Sequence, residues 1–221
     1  MTARLLSLNI GASEPNPAKK VGVTGIGKKP VDSATLRAPG PKHGGLGSGV
    51  VGDFIADVAH HGGDQQAVYA FAREELDAWQ DRLGRELADG LFGENLTTSG
   101  LDVDGALLGE RWAVGDEVVL EVCGPRVPCA TFQSRMGERG WIKRFTEVGR
   151  TGAYLSIVTG GEVRTGDAIE VVSRPDHEIT VPVAFRAFMG DLAAARRVLD
   201  AGALTGPDAD ELREMVERRS R

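Results

Sequence analysis

Thirty glycines are spread through 221 residues and cut the apolar content into short runs. That share is roughly twice the ~7% typical of proteins. Glycine opens turns at positive φ and weakens helix interiors. Between the glycines, apolar and polar residues tend to alternate, the period of a strand with one buried face. Such a chain is expected to fold around short strands rather than as a bundle of long helices.

Residues 3–10 read as a first strand, followed by a loop-rich stretch over 11–49 that Val21-Gly22-Val23-Thr24-Gly25-Ile26 interrupts. Val50 to Val58 reads as a strand, and Ala67 to Phe71 as a short strand feeding a helix from Arg73 to about Leu87. Leu76, Trp79 and Leu83 recur there at helical spacing. Leu107 to Asp116 reads as a strand and a turn, and Glu117 to Val122 as a strand entering a proline-stiffened segment that ends in Cys129. Gln133 to Val148 carries Met136, Trp141, Ile142 and Phe145 and reads as one helix with a glycine-weakened middle. Tyr154–Val158 and Asp167–Val172 are closing strands.

The expected class is therefore α+β: a barrel-like antiparallel core with flanking helices over residues 1–175. After Pro175 the pattern turns helical over 191–200 and 208–219, with Asp191 and Asp208 as N-cap candidates and Gly202 and Gly206 as stops. Residues 180–221 are expected to form a small helical domain docked on the core or on a partner subunit.

A net charge of −6 and a pI near 5.3 argue against a nucleic-acid-binding face. The N-terminal apolar run is too short for a signal sequence, and no stretch approaches the ~18 apolar residues of a membrane span, so a cytoplasmic protein with no membrane contact is expected. Two cysteines, Cys123 and Cys129, do not form a disulfide framework or a zinc-ribbon spacing.

Four groups can carry chemistry. In Gly124-Pro125-Arg126-Val127-Pro128-Cys129, the thiol is held out of helix and has three readings: small buried hydrophobe, nucleophile or metal ligand. No histidine is near it in sequence to serve as a base. His60-His61-Gly62-Gly63 can ligate a metal or donate to an anion, and adjacent residues of an extended segment point opposite ways, so one histidine faces any given site. Gly93-Glu94-Asn95 puts a carboxylate and an amide on a turn, suited to reading a heterocycle edge or to bonding their own backbone. Lys28, Lys29, Arg37, Lys42 and Arg126 form a basic set in an acidic chain, either solvated or gathered for a phosphate.

Taken in order, Thr24-Gly25-Ile26-Gly27-Lys28-Lys29-Pro30-Val31, the segment from His60 to Ala70, Phe92-Gly93-Glu94-Asn95-Leu96-Thr97-Thr98 and Pro125-Arg126-Val127-Pro128-Cys129 resemble the YiiM-like branch of the MOSC domain family. The resemblance implies a β-barrel-like MOSC core and a three-helix C-terminal appendage. It also implies a molybdenum cofactor (Mo-molybdopterin) with Cys129 as the metal ligand. Arg126, Lys28 and Arg37 are then the candidates for the cofactor's phosphate, and His61, Glu94 and Asn95 for proton supply or pterin binding. Similar proteins reduce small N-hydroxylated compounds such as hydroxylaminopurines and amidoximes. With no flavin or iron–sulfur motif here, the electrons are expected from a separate reductase. The alternative is a cofactor or sulfur carrier with a persulfide on Cys129, although the chain has no room for the pyridoxal-phosphate domain that usually accompanies that role. A third is a scaffold without cofactor. The C-terminal helices are available for homodimer formation or for docking the reductase, and the sequence does not choose.

Overall fold

The computed structural model describes residues 2–219. The first strands are β1 (Arg4–Gly11), β2 (Glu14–Pro15), β3 (Val23–Thr24), β4 (Lys28–Val31) and β5 (Ser33–Leu36). A long loop with one 3-10 turn, Asp64–Gln66, leads to β6 (Val68–Ala72) and α1 (Arg73–Leu83). Then follow β7 (Leu96–Ser99), β8 (Arg111–Val114), β9 (Val118–Pro125), α2 (Ala130–Met136) and α3 (Trp141–Val148). The chain continues through β10 (Ala153–Thr159), β11 (Gly161–Arg164), β12 (Ile169–Ser173), α4 (Val181–Phe188), α5 (Leu192–Asp200) and α6 (Gly206–Arg219).

Eight strands form one mixed sheet in the order β12-β8-β9-β10-β6-β7-β1-β4, and β11–β5 and β2–β3 form two-stranded ladders beside it. The α+β expectation holds, but the barrel does not. The sheet ends at β12 and β4, and β1 meets the approach to β12 through one isolated bridge, Arg4 with Ala168. Backbone bonds Leu5 N–H to Asp167 O and Ile169 N–H to Ala3 O extend that contact without making a ladder. Gly166 N–H to Leu5 O and Thr165 N–H to Asp32 O hold the segment before β12 against this edge by scattered bonds, and no continuous ladder joins β12 to β4.

β6 and β7 are parallel, joined by the α1 crossover, while the other pairs in the sheet are antiparallel. β6 is buried at all five positions because it has a core on each face. Val68, Ala70 and Ala72 join the aliphatic cluster of the sheet, with Leu5, Leu8, Leu96, Leu120 and Leu155. Tyr69 and Phe71 face the opposite cluster, packed by α1, α2 and α3. A strand covered on both sides reads as a continuous apolar run, as this one does.

Glycine sets the helix ends where the apolar period alone runs on. α1 stops at Leu83 rather than Leu87 because Gly84 takes φ +64° and its N–H caps onto Gln80 O. The single helix expected over Gln133–Val148 is two, α2 and α3, separated by Gly137 at φ +65° and Gly140 at φ +68°. Asp191 caps α5 as expected, accepting from the N–H groups of Ala193 and Ala194. α6 begins two residues before Asp208, which lies in its first turn. α4 to α6 bury a cluster of their own that takes in Leu108 from the sheet body.

The strand expected over Val50–Val58 is not one. Val50 makes only an isolated bridge to Leu36, and Gly52 turns the chain at φ +92°. The Asp53 side chain takes up Gly11 N–H at 2.7 Å, and Phe54 N–H bonds Gly11 O at 3.1 Å. Gly11 and Gly25 make this approach feasible: a Cβ on Gly11 would stand 2.0 Å from Gly25 O, and one on Gly25 would stand 1.9 Å from Phe54 O. Three backbones stack there, and a loop, not a ladder, delivers Asp53 to the interior.

Phe92 sits at the centre of the aromatic cluster, with ring centroids of Phe71 and Phe132 at 5.1 Å and of Trp141 at 5.5 Å. Phe92→Ala is expected to cost about 3–5 kcal/mol. Urea unfolding monitored by tryptophan fluorescence checks it; a loss below ~1 kcal/mol would mean that the ring is not a packing centre.

Candidate functional site

An open cleft of about 730 Å³, part of it continuous with solvent, lies where the β2–β3 hairpin, the 37–67 loop, β6 and the end of β9 converge. Cys129, Arg126, Lys28, His61, Asn95 and Asp53 all line it.

Cys129 ends the proline-stiffened segment in extended backbone, φ −133° and ψ 172°, directly before α2. The thiol is half-buried and unpaired with Cys123. Burial pushes it up, but a hydrogen bond with His61, the Arg126 guanidinium and the Phe132 N–H outweigh burial and hold it down at about 6. Folding therefore supplies the histidine that the sequence does not place nearby. At Cys123 burial outweighs the hydrogen bonds with Ser156 and pushes the thiol up to about 11.

Arg126 is 6% exposed. Its guanidinium lies 3.7 Å from the Phe132 ring centroid and 5.2 Å from that of Tyr69, and it donates to Phe92 O. Among the described residues no carboxylate pairs with it. A buried cation without an anion is costly, so the Cys129 thiolate and any anionic ligand are its natural partners.

Lys28 is buried at the start of β4 and bonds both Asp53 oxygens, at 2.5 and 2.6 Å. Burial lowers its pKa, and Asp53 opposes that. Asn95 is largely engaged by the protein. Its Nδ2 donates to Asn9 O at 3.2 Å and Asp53 Oδ2 at 3.0 Å, while Oδ1 accepts Tyr69 N–H at 3.2 Å.

Glu94 is fully buried behind the cleft and is not part of its lining. Oε1 accepts Gly90 N–H at 2.6 Å and the Thr97 hydroxyl at 3.0 Å. Burial pushes the carboxyl up to about 7. Of the histidine pair, His61 lines the cleft, and His60 turns outward to Asp57 Oδ1 at 2.9 Å. Arg37 is exposed just past β5 and away from the lining, so the structure does not bring it to the other site residues.

Asp53, Ser48 and Gln66 are cleft residues that the sequence reading did not single out. The signal for Asp53 was an aspartate following glycine inside an apolar run, which favours a turn over a strand. Among the described residues no helix is long and apolar enough to cross a membrane, and no group of His, Cys, Asp and Glu side chains could hold a metal by itself.

With this geometry in view, the relationships of the chain are clear. The sequence model of the MOSC domain matches residues 57–170, the span that carries His61, Glu94, Asn95, Arg126 and Cys129. The uncharacterized protein YflK of Bacillus subtilis is 32% identical over 206 residues, covering 91% of this chain and 89% of that one. A reductase of Gibberella moniliformis is 34% identical over 131 residues, which are 58% of this chain and 23% of that longer protein. The crystal structure of YiiM from Geobacillus stearothermophilus superposes with a TM-score of 0.76 at 22% identity, covering 97% of this chain and 99% of that one. The chain belongs to the MOSC domain family and is YiiM-like.

Proposed function

We propose that the cleft holds the molybdenum cofactor with the Cys129 thiolate as metal ligand, and that the protein reduces small N-hydroxylated compounds with electrons from a separate reductase. MOSC domains are molybdenum-cofactor-binding domains, and the partial match to a protein named a reductase supports redox chemistry. One observation carries the reading: a thiol held at about 6 beside a buried guanidinium that lacks a carboxylate.

The residues present fit such a group. A thiolate is a suitable soft, anionic donor. Arg126 and Lys28 bring positive charge to the wall for the cofactor's phosphate. Gln66, on the same wall, has its Oε1 buried without a hydrogen-bond partner, so an acceptor is left over for a ring N–H. When bound, the cofactor supplies the two-electron chemistry that removes the N–O oxygen.

The chain's own residues do the rest. Cys129 anchors, and His61 and Arg126 keep that anchor ionised. His61, bonded to the thiol, is the ring nitrogen that can take or return a proton at the cleft. Glu94, pushed up by burial to about 7, can hold or release a proton near neutral pH one layer behind, beside the Asn95 that lines the wall. The aromatic and aliphatic surround, with Tyr69, Tyr154 and Ile26, limits water at the reacting atoms. A second reading, a sulfur carrier with a persulfide on Cys129, is favoured by the His61 contact, which suits a nucleophilic thiolate. A persulfide found by mass spectrometry in protein that lacks molybdenum would select it.

Elemental analysis of protein made in a cofactor-producing host is expected to show molybdenum in the wild type and background levels in Cys129→Ala. Turnover of a hydroxylaminopurine with a chemical electron donor is expected to vanish with it. A variant that keeps its molybdenum and its activity would rule this reading out.

In cofactor-free protein, iodoacetamide should alkylate Cys129 with a midpoint near pH 6, the rate rising with pH as thiolate forms. His61→Gln removes a bond to the thiolate, so the midpoint should move up toward the ~8.5 of a free cysteine. Peptide mapping separates this from Cys123. A midpoint that stays put would remove His61 from the account.

A further inference from the structure

The carboxylate of Asp53 gathers more donors than one ion pair requires. Gly11 N–H of β1 donates at 2.7 Å, Ser48 Oγ at 2.8 Å and Asn95 Nδ2 at 3.0 Å, in addition to both bonds from Lys28. Its side chain is 1% exposed, yet Asp53, Lys28, Ser48 and Asn95 all line the cleft. Four segments distant in sequence thus meet on one side chain at the wall of the site.

We propose that Asp53 is the positioning residue of the cleft: its carboxylate keeps the Lys28 ammonium charged at the wall and fixes the Asn95 amide beside it. The inference rests on the reading of the cleft as the seat of an anionic cofactor. Lys28 is 7% exposed, and an ammonium removed from water tends to shed its proton unless an anion is present. The charged groups that act on it are Asp53 and Glu94, which favour the ammonium, and Arg126, which opposes it. Asp53 bonds the ammonium with both carboxylate oxygens, whereas Glu94 acts on it only through its charge, so Asp53 is the anion in direct contact. Asn95 gains as well. With Nδ2 held by Asp53 and Asn9 O, the amide cannot flip, and Oδ1 stays on Tyr69 N–H. Asp53 need not touch a ligand, because it acts through Lys28 and Asn95.

Asp53→Asn keeps the shape and an acceptor oxygen but removes the charge. The test is the titration of Lys28, followed by its side-chain carbon resonances in cofactor-free protein and assigned with Lys28→Arg. In Asp53→Asn the Lys28 ammonium is expected to lose its proton about one pH unit or more below the wild-type value. Unchanged titration would overturn the proposal, since a merely structural Asp53 leaves the charge of Lys28 alone. Molybdenum content gives the second readout: a loss of roughly tenfold or more in Asp53→Asn, recovered in Asp53→Asn/Lys28→Arg, whose guanidinium stays protonated. No recovery in the double variant would count against it. Should Asp53→Asn fail to fold, Asp53→Asn/Lys28→Met decides: restored folding identifies the uncompensated ammonium as the fault, and continued unfolding overturns the assignment. If wild-type protein holds no molybdenum, the cofactor reading falls, while the Lys28 titration still decides the role of Asp53.

Discussion

The rest of the structure depends on β6 being buried on both faces. The strand Val68 to Ala72 pairs with β10 on one side and with β7 on the other, and all five of its residues are buried. Alternation sends Val68, Ala70 and Ala72 into the aliphatic core, and Tyr69 and Phe71 into the aromatic one. Two cores are thereby locked in a single register, because a slip of one residue would exchange their side chains. Tyr69 then stands at a fixed place on the cleft wall, its hydroxyl donating to Thr151 O at 2.7 Å. The same strand holds Asn95 through Asn95 N–H to Tyr69 O at 2.8 Å. A rigid scaffold of this kind can position loop residues that have little regular structure of their own.

The site is built from charges in two separate pairings. Lys28 is neutralised within the fold by Asp53. Arg126 lies against aromatic faces, the Phe92 carbonyl, the Tyr69 hydroxyl and the Cys129 thiolate, and among the described residues no carboxylate pairs with it. Both cations line the cleft, but only Lys28 has a carboxylate of the fold beside it among the described residues. The His61 hydrogen bond and then the Arg126 charge let Cys129 ionise readily although burial works against it. The two cations also explain how an acidic protein presents a local positive field without a basic surface.

What could be read in the sequence followed from local chemistry. The runs over residues 3–10 and 117–122, the α1 face of Leu76 and Trp79, and the Asp191 cap are set by period and capping, and they fold as expected. Cys129, Arg126 and His61 stood out because stiff or glycine-flanked segments carried unusual side chains, and all three line the cleft. Glu94 and Arg37 share the same kinds of motif, but one faces inward and the other outward, a matter of tertiary packing that no local pattern encodes. Closure of the sheet was illegible for a similar reason: it depends on how two edges distant in sequence approach. Asp53 was hidden because Val50 to Val58 is apolar enough for a strand, and the competing interaction comes from Gly11, Lys28 and Asn95, far away in the chain.

Stability and function are joined at Arg126. Its guanidinium packs on Phe132, which is also part of the aromatic cluster centred on Phe92, and it donates to the Phe92 carbonyl. A buried cation without a carboxylate is unfavourable in the ligand-free state, and the leftover acceptor of Gln66 adds to that. The cluster offsets the cost: six large rings, Phe71, Trp79, Phe92, Phe132, Trp141 and Phe145, bury apolar area directly beneath the charge. A ligand that binds only the folded state and supplies the missing anion would relieve the unfavourable part and leave the favourable part in place. The aromatic core is thus more than filler under the sheet. It lets the fold hold a positive charge, ready for a partner, at a point where an ordinary apolar core would exclude it.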